Sequence, residues 1–245
     1  MSFYYTGEHT ITIGDKNTWT DWHLIPSSRP FVVPAQPKYT FTDIPGMNGS
    51  LDTTESLLNY VTYKNREGSW EFFVENDKEE TWAELLSIIS MDTAGQRLKV
   101  VLNDDPNWYY MGRVFVNNWA SEQIASKITL NYSLEPFKYS NYSTLGDWLW
   151  DPFNFNKDYC YDWADISVTG KRVLEFNWPG AAVTPTVTVS GTTKGMDFTF
   201  NSGKKVHLGN GTFTSPFLSL VHGNNTLVAE AWTGNFTIST RDSRL

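Results

Sequence analysis

Alternation of apolar and polar residues with a period of two is the sequence feature that most constrains the fold of this chain. The clearest case runs from Lys127 to Leu134, where Ile128, Leu130 and Tyr132 also fall on the apolar positions. Successive side chains of a strand point to opposite faces, so the pattern predicts a strand with one buried and one solvent-facing side. A chain organised on this period folds mainly into β-sheets.

Three further strands are predicted before residue 140. They are Ser69 to Glu75, Arg97 to Leu102 and Trp108 to Val116, and the last two are joined by the turn-rich sequence NDDPN. Together with the strand that ends at Leu134, they predict a sheet in the first part of the chain.

One segment, Asp77 to Met91, has the pattern of a helix. Asp77 and Glu80 have the spacing of a capping box, and Gly95 follows the end of the pattern. We expect the apolar stripe of this helix to pack on the sheet. The apolar residues that recur at helical spacing are Trp82, Leu85, Leu86 and Ile89.

The second part of the chain is predicted to be a β-sandwich or jelly roll. From Ile166 onward, short alternating runs are separated by Gly, Asn and Pro turns. At 245 residues the chain is long enough for two domains, and its composition shifts to Ser, Asn, Gly and Asp after Tyr139. We therefore predict domains at residues 1–140 and 141–245. The alternating runs are ISV, VLEF, TVTV, DFTF, FLSLV, TLVAE and FTIST.

A cluster of prolines and glycines lies between Arg29 and Gly49 and excludes one continuous regular element there. The pattern predicts a long loop or arm around Ile44 to Asn59. Loops of this length are usually functional, because the entropy lost on ordering them is offset by contacts made elsewhere. The alternative is a loop that is simply mobile.

The charge balance argues against a surface that binds nucleic acid. The chain has 19 basic and 27 acidic residues, of which 11 and 18 lie in residues 1–140. Affinity for phosphates depends on clustered lysine and arginine, which this balance does not favour. The first residues lack a signal-peptide pattern, no run is long enough to span a membrane, and a lone Cys160 fits synthesis in a reducing cytoplasm.

No pattern of catalytic, metal-binding or cofactor-binding residues is present. The four histidines are dispersed, and none has a second histidine or cysteine at metal-ligand spacing. The chain also lacks the nucleophile elbow, the P-loop, the dinucleotide-binding fingerprint and the zinc-protease motif. We therefore predict a protein that is not an enzyme and that has no catalytic residues, metal or cofactor.

An aromatic and acidic stretch, Asp147 to Asp165, leaves a second function open. Tryptophan rings there, Trp148 and Trp150 among them, could cover the apolar faces of sugars while carboxylates accept hydrogen bonds from hydroxyls. Trp232 is a further candidate ring. The alternative function is thus a carbohydrate-binding adhesion module that contacts cell-wall glycans. Equally, the stretch could be a connector whose rings pack one domain against the other.

Several phrases of the sequence resemble the distal tail protein (Dit) family of long-tailed bacteriophages. They occur in family-like order and span nearly the whole chain. The phrases are TWTDWHLIP (Thr18 to Pro26), DIPGMNGSLD (Asp43 to Asp52), YKNREGSWEF (Tyr63 to Phe72), SLEPFKY (Ser133 to Tyr139), NGTFTSPFLSLVHGNNTLVAE (Asn210 to Glu230) and GNFTISTRDSRL (Gly234 to Leu245).

The resemblance implies a tail-tube-like N-terminal domain, a β-sandwich or split barrel with a helix, followed by a galectin-like β-sandwich. It implies a virion protein of the siphovirus tail tip, made in the bacterial host cytoplasm. There it would form a hexameric ring as a baseplate hub joining the tail tube protein to a tail-associated (Tal-type) protein. Receptor-binding proteins would dock on it, DNA would pass through the lumen, and an acidic lumen would keep DNA from adhering.

By the same resemblance, the segment from Pro45 to Asn59 is the arm that reaches the neighbouring subunit. Glycines permit backbone angles that other residues avoid, and prolines reduce the entropy lost on ordering. Arg66 is expected either in an interfacial ion pair or as an ordinary surface arginine. The candidate subunit-interface residues are Trp19, Trp22, Asp43, Pro45, Gly46, Gly49, Asp52, Asn65 and Arg66.

Overall fold

The computed structural model describes residues 5–56, 60–74, 79–121, 126–143, 163–201 and 203–245. Over these ranges the chain is mainly β with one helix, which confirms the predicted fold class. It divides into two compact units, Met1–Lys138 with Leu245, and Tyr139–Arg244. No helix in the described ranges is long and apolar enough to cross a membrane.

The first unit contains nine of the described strands and the helix α1. In chain order they are β1 (Ile11–Ile13), β2 (Lys16–Asn17), β3 (Leu24–Pro26), β4 (Phe41–Thr42), β5 (Leu51–Asp52), β6 (Arg66–Val74), α1 (Glu79–Thr93), β7 (Arg97–Leu102), β8 (Trp108–Ser121) and β9 (Ser126–Leu134).

Seven of these strands form one antiparallel sheet in the order β2-β1-β7-β8-β9-β6-β3. Along β9 every second residue is buried, and Ile128, Leu130 and Leu134 are fully inaccessible to solvent. Facing positions on neighbouring strands share this side, since Trp70 lies opposite Leu130 and Phe72 opposite Ile128. The alternation predicted from sequence therefore sets the core face of the whole sheet.

The helix α1 lies within two residues of the predicted bounds. Ile89 is fully buried in the core of the first unit, and Leu85 and Leu86 pack against that core. Gly95 follows the helix with φ +63°, a conformation that favours glycine at a helix end. Asp77 of the predicted capping box and the side chain of Trp82 lie outside the described part of the chain.

Eight described strands follow β9. They are β10 (Lys138–Ser143), β11 (Ile166–Trp178), β12 (Thr186–Ser190), β13 (Met196–Phe200), β14 (Val206–Leu208), β15 (Gly211–Thr214), β16 (Gly223–Ser239) and β17 (Arg241–Arg244).

The second unit is centred on the long strand β16. The sheet order is β14-β13-β16-β12-β15, β11 pairs with β16, and β10 pairs with β17. One side of the sheet encloses a core that includes Trp178, Phe198, Leu227 and Phe236. Trp163, from the end of the aromatic and acidic stretch, is buried in this core, whereas residues 147–162 of that stretch lie outside the described residues.

Five of the predicted runs in this unit are corrected by the structure. ISV and VLEF belong to the single strand β11, and TLVAE and FTIST belong to the single strand β16. The pairing register between β11 and β16 shifts at a bulge between Val168 and Gly170. Each strand continues through this bulge, where the sequence predicts a turn. FLSLV forms no strand, although Leu218 and Leu220 are buried and Leu220 bridges to Val183.

The alternation along β9 makes a direct prediction about stability. We expect Leu130→Ala to lower the free energy of unfolding by about 2–5 kcal/mol, because it leaves a cavity in the core. Thr129→Ala, one position away on the solvent-facing side, is expected to change it by less than about 1 kcal/mol. Urea denaturation measures both values, and equal losses would contradict the assignment of the faces.

Candidate assembly surface

A hairpin that we call the arm, described at residues 36–56 and 60–64, extends from the first unit between β3 and β6. At its base, the amide of Lys38 donates to the carbonyl of Thr62 (2.8 Å) and that of Lys64 to the carbonyl of Gln36 (2.8 Å). Farther out, β4 and β5 pair, with Phe41 opposite Asp52. The arm is therefore a two-stranded hairpin and begins earlier than the predicted loop at Ile44.

The tip of the arm is shaped by proline and glycine. The amide of Met47 donates to the carbonyl of Ile44 (3.1 Å), which closes a turn with Pro45 second and Gly46 third. Gly46 has φ +84°, the angle that a type II turn requires at this position. Gly49 also has a positive φ of +79°. Both glycines thus hold backbone angles that other residues rarely adopt.

Polar groups within the arm bond to one another. The hydroxyl of Ser50 donates to Asp43 (2.5 Å), and the amide of Thr54 donates to Asp52 (2.9 Å). Hydrogen bonds from the hydroxyl and the amide of Thr54 lower the pKa of Asp52. These contacts order the hairpin locally, but they bury no apolar surface.

Both faces of the arm are open. Every residue from Lys38 to Asp52 is exposed. Because Phe41 faces Asp52 and Thr42 faces Leu51, the side chains of Phe41 and Leu51 point to opposite faces. The large apolar side chains of this segment are 42% to 65% exposed, and they are Tyr39, Phe41, Ile44, Met47 and Leu51.

Arg66 holds the chain that leads into the arm. Its Nε donates to the carbonyl of Pro136 (2.8 Å) and its Nη1 to the carbonyl of Val33 (3.1 Å). The side chain is only 4% exposed, its guanidinium lies over the ring of Tyr110, and burial lowers its pKa. The expectation of a surface arginine is therefore wrong: its partners are carbonyls of its own chain.

Two aromatic side chains of the sheet complete this anchor. Trp70 and Tyr132 stack with ring centroids 4.2 Å apart. The indole of Trp70 donates to the carbonyl of Phe31 (2.9 Å), and the hydroxyl of Tyr132 accepts from the amide of Val33 (3.1 Å). The backbone before the arm is thus fixed by β6 and β9.

The other candidate interface residues lie in different surroundings. Trp22 is buried in the core of the first unit, and its indole donates to Asp92 on α1 (3.0 Å). Trp19 is half-buried, edge-on to Tyr5. Asn65 is exposed beside the arm, with its amide 3.5 Å from the hydroxyl of Ser133.

The structure brings Asp43, Pro45, Gly46, Gly49 and Asp52 together on the arm. It places Trp19 and Trp22 elsewhere in the first unit. Sequence reasoning missed the apolar side chains of the arm. The sequence signal for them is the alternation of Tyr39 and Phe41 with threonines, which is typical of a strand. The prolines on either side of this short stretch argue against a regular element and so hide the signal.

Of the three candidate sugar-binding residues, Trp232 lies in the described part of the chain. Trp148 and Trp150 lie outside the described residues. Trp232, in the second unit, is 78% exposed. Among the described residues, no three His, Cys, Asp or Glu side chains are grouped as metal ligands would be.

Comparisons with known proteins bear on the fold. The chain matches no protein-family model and no curated protein sequence. Its structure is similar to the crystal structure of the Dit protein of phage SPP1, described as a paradigm of the hub adsorption apparatus in phages that infect Gram-positive bacteria. The TM-score is 0.62 at 14% identity, over 96% of this chain and 99% of the SPP1 protein. The Dit-like fold implied by the sequence is confirmed.

The anchor at Arg66 predicts how the arm is held. Arg66→Leu removes both donors and leaves the carbonyls of Val33 and Pro136 without them. We expect the free energy of unfolding to fall by about 1–3 kcal/mol and hydrogen exchange to accelerate in residues 31–38. Arg172→Leu, at an exposed position of the second unit, is the control. Unchanged exchange in the Arg66 variant would contradict the anchoring role.

Proposed function

We propose that this chain is a structural hub of a bacteriophage tail tip and that it works by assembly, without catalysis. The observation that carries the proposal is the arm, a hairpin with exposed apolar side chains on both faces. The likeness to the SPP1 hub protein over nearly the full length of both chains supports it. The hub is a homo-oligomeric ring of six subunits, to which each copy contributes one arm.

A two-stranded hairpin is at best marginally stable in water without a covering surface. The arm has no such cover from the described part of its own chain. Burying the exposed half of a large apolar side chain contributes roughly 1 kcal/mol, so the five on the arm contribute roughly 5 kcal/mol when a neighbour covers them. Contact with a second copy thus both orders the arm and stabilises the assembly.

A ring follows from the asymmetry of such a contact. The arm of one subunit meets a different surface on the next, which makes a heterologous interface. Association costs about 4–15 kcal/mol in lost freedom, so a single arm makes a weak pair. A closed ring has one more contact between subunits than an open row of the same number of subunits. This extra contact favours complete rings over open rows.

The finer assignments rest on the family resemblance. The ring joins the tail tube protein to a Tal-type tail-associated protein, receptor-binding proteins dock on the galectin-like second domain, and DNA passes through the lumen. In residues 1–140 the candidate contacts to neighbours are Trp19, Asn65 and the arm, while Trp22 and Arg66 act by supporting the core and the arm. The acidic excess of this region is expected to face the lumen and repel DNA.

Apolar side chains on the arm predict a test of assembly. We expect the full chain to form closed rings of about six subunits as its concentration rises, seen by sedimentation velocity and negative-stain electron microscopy. The double change Phe41→Ser with Leu51→Ser removes one apolar side chain from each face, and the variant is expected to stay monomeric and folded.

The control is Phe217→Ser, which removes a ring of similar exposure, 54%, from the second unit. It is expected to leave the rings intact. A wild-type chain that remains monomeric throughout, or an arm variant that still closes into rings, would refute the role of the arm.

A further inference from the structure

Trp232 lies in the bulge between β11 and β16. Val168 faces Gly234, but Gly170 faces Ala231, so Trp232 and Thr233 together lie opposite Thr169. A bulge changes which face a side chain points to and is common next to binding sites. Trp232 is 78% exposed, the largest exposure among the large apolar side chains described.

Space beside this ring is kept open by a glycine. Gly170 has φ +78°, and a Cβ there would meet no atom within 4 Å. The residues around the resulting shallow depression are Thr169, Gly170, Glu230, Ala231, Trp232 and Thr233. A flat ring thus borders an open space that is otherwise lined with polar groups and small side chains.

A row of charged side chains crosses the same face of the sheet. His207, Asp197, Glu230 and Lys171 occupy facing positions on the adjacent strands β14, β13, β16 and β11. Glu230 is two residues before Trp232, so the row and the ring are neighbours. The two neighbouring carboxylates of the row accept hydrogen bonds, and the ammonium of Lys171 at one end donates them.

Lys205, the residue before β14, adds a further ammonium group beside the two carboxylates of the row. The ammonium of Lys205 lies 2.5 Å from Glu230 and 3.6 Å from Asp197. Nδ1 of His207 lies 2.6 Å from Asp197, and Lys171 is 3.9 Å from Glu230. Two carboxylates and two ammonium groups cancel in charge, and the histidine ring keeps its second nitrogen for another partner.

We propose that this face of the second unit binds a neutral saccharide, with a sugar ring against Trp232 and sugar hydroxyls bonded to Glu230 and the adjoining charged row. A pyranose has an apolar face that a tryptophan ring covers and hydroxyls that both donate and accept hydrogen bonds. The balanced charges of the row favour a neutral sugar over a charged polymer. A protein partner would need a larger apolar patch than Val173 and Val228 provide on this face, where Thr199 and Thr226 are their neighbours.

The proposal goes beyond the hub and does not depend on it, because every residue involved belongs to the second unit. The probe is an array of oligosaccharides of glucose, galactose, N-acetylglucosamine and N-acetylgalactosamine, with titration calorimetry of those that bind the full chain. We expect Trp232→Ala to weaken binding about tenfold or more, because a tryptophan at the centre of a contact carries much of its energy. Trp232→Phe should restore part of the affinity.

Glu230→Gln tests the polar side of the site and is expected to weaken binding severalfold while the ring stays in place. Phe31→Ala is the matched control, since it removes a ring that is 66% exposed from the first unit; it should change nothing. Thermal denaturation checks that each variant is folded. Binding that is insensitive to salt supports a neutral ligand.

Three results would overturn the proposal: a wild-type chain that binds no saccharide of the array, a Trp232→Ala variant with unchanged affinity, or binding that disappears as salt is raised. None of them affects ring formation, so failure here is distinguishable from failure of the proposed hub.

Discussion

The sheet of the first unit has one apolar face that must be covered. The segments that cover this face determine where the arm begins and how its first residues are held. Helix α1 covers part of it through Ile89, and Val32 and Val33 pack against the same core from the segment before the arm. That segment has no strand partner of its own, so side chains hold its backbone: Arg66 and Tyr132 bind Val33, and Trp70 binds the carbonyl of Phe31. The root of the arm is thus fixed as a consequence of covering the core.

The arm beyond that root differs from the segment before it, which has a core to pack against but no strand pairing. The arm has backbone pairing but no core, and its apolar side chains face water on both sides. Its ordering depends on local hydrogen bonds and on the restricted backbone of the turn around Pro45 and Gly46. A hairpin of this kind gains far more from an external surface than a strand of the main sheet would, because its faces are not yet buried. The backbone before the arm is fixed, whereas the apolar side chains of the arm are still exposed. This combination suits a segment that binds another surface.

The parts that sequence could predict are those that a local period encodes. Burial of one face requires alternation along β9 and a 3.6-residue period along α1, and both were visible in the residues. The burial of Arg66 is not predictable from the sequence, because its partners, the carbonyls of Val33 and Pro136, are distant in sequence and carry no side-chain signal. The break between TLVAE and FTIST was read as a turn because bulges and turns both interrupt the period of two. The strand pairing that distinguishes them is a long-range property.

The bulge in β16 illustrates why such an interruption is functionally informative. Trp232 and Thr233 together lie opposite Thr169, so the ring belongs to the stretch where the regular ladder is interrupted. If the chain also closes into a ring, each copy adds one such site, and weak individual contacts with a repeating polysaccharide would combine. Linked sites raise the effective concentration of the second contact, so avidity can exceed single-site affinity by roughly 100-fold or more. A weak saccharide site on one subunit is therefore compatible with firm attachment by an assembled hub.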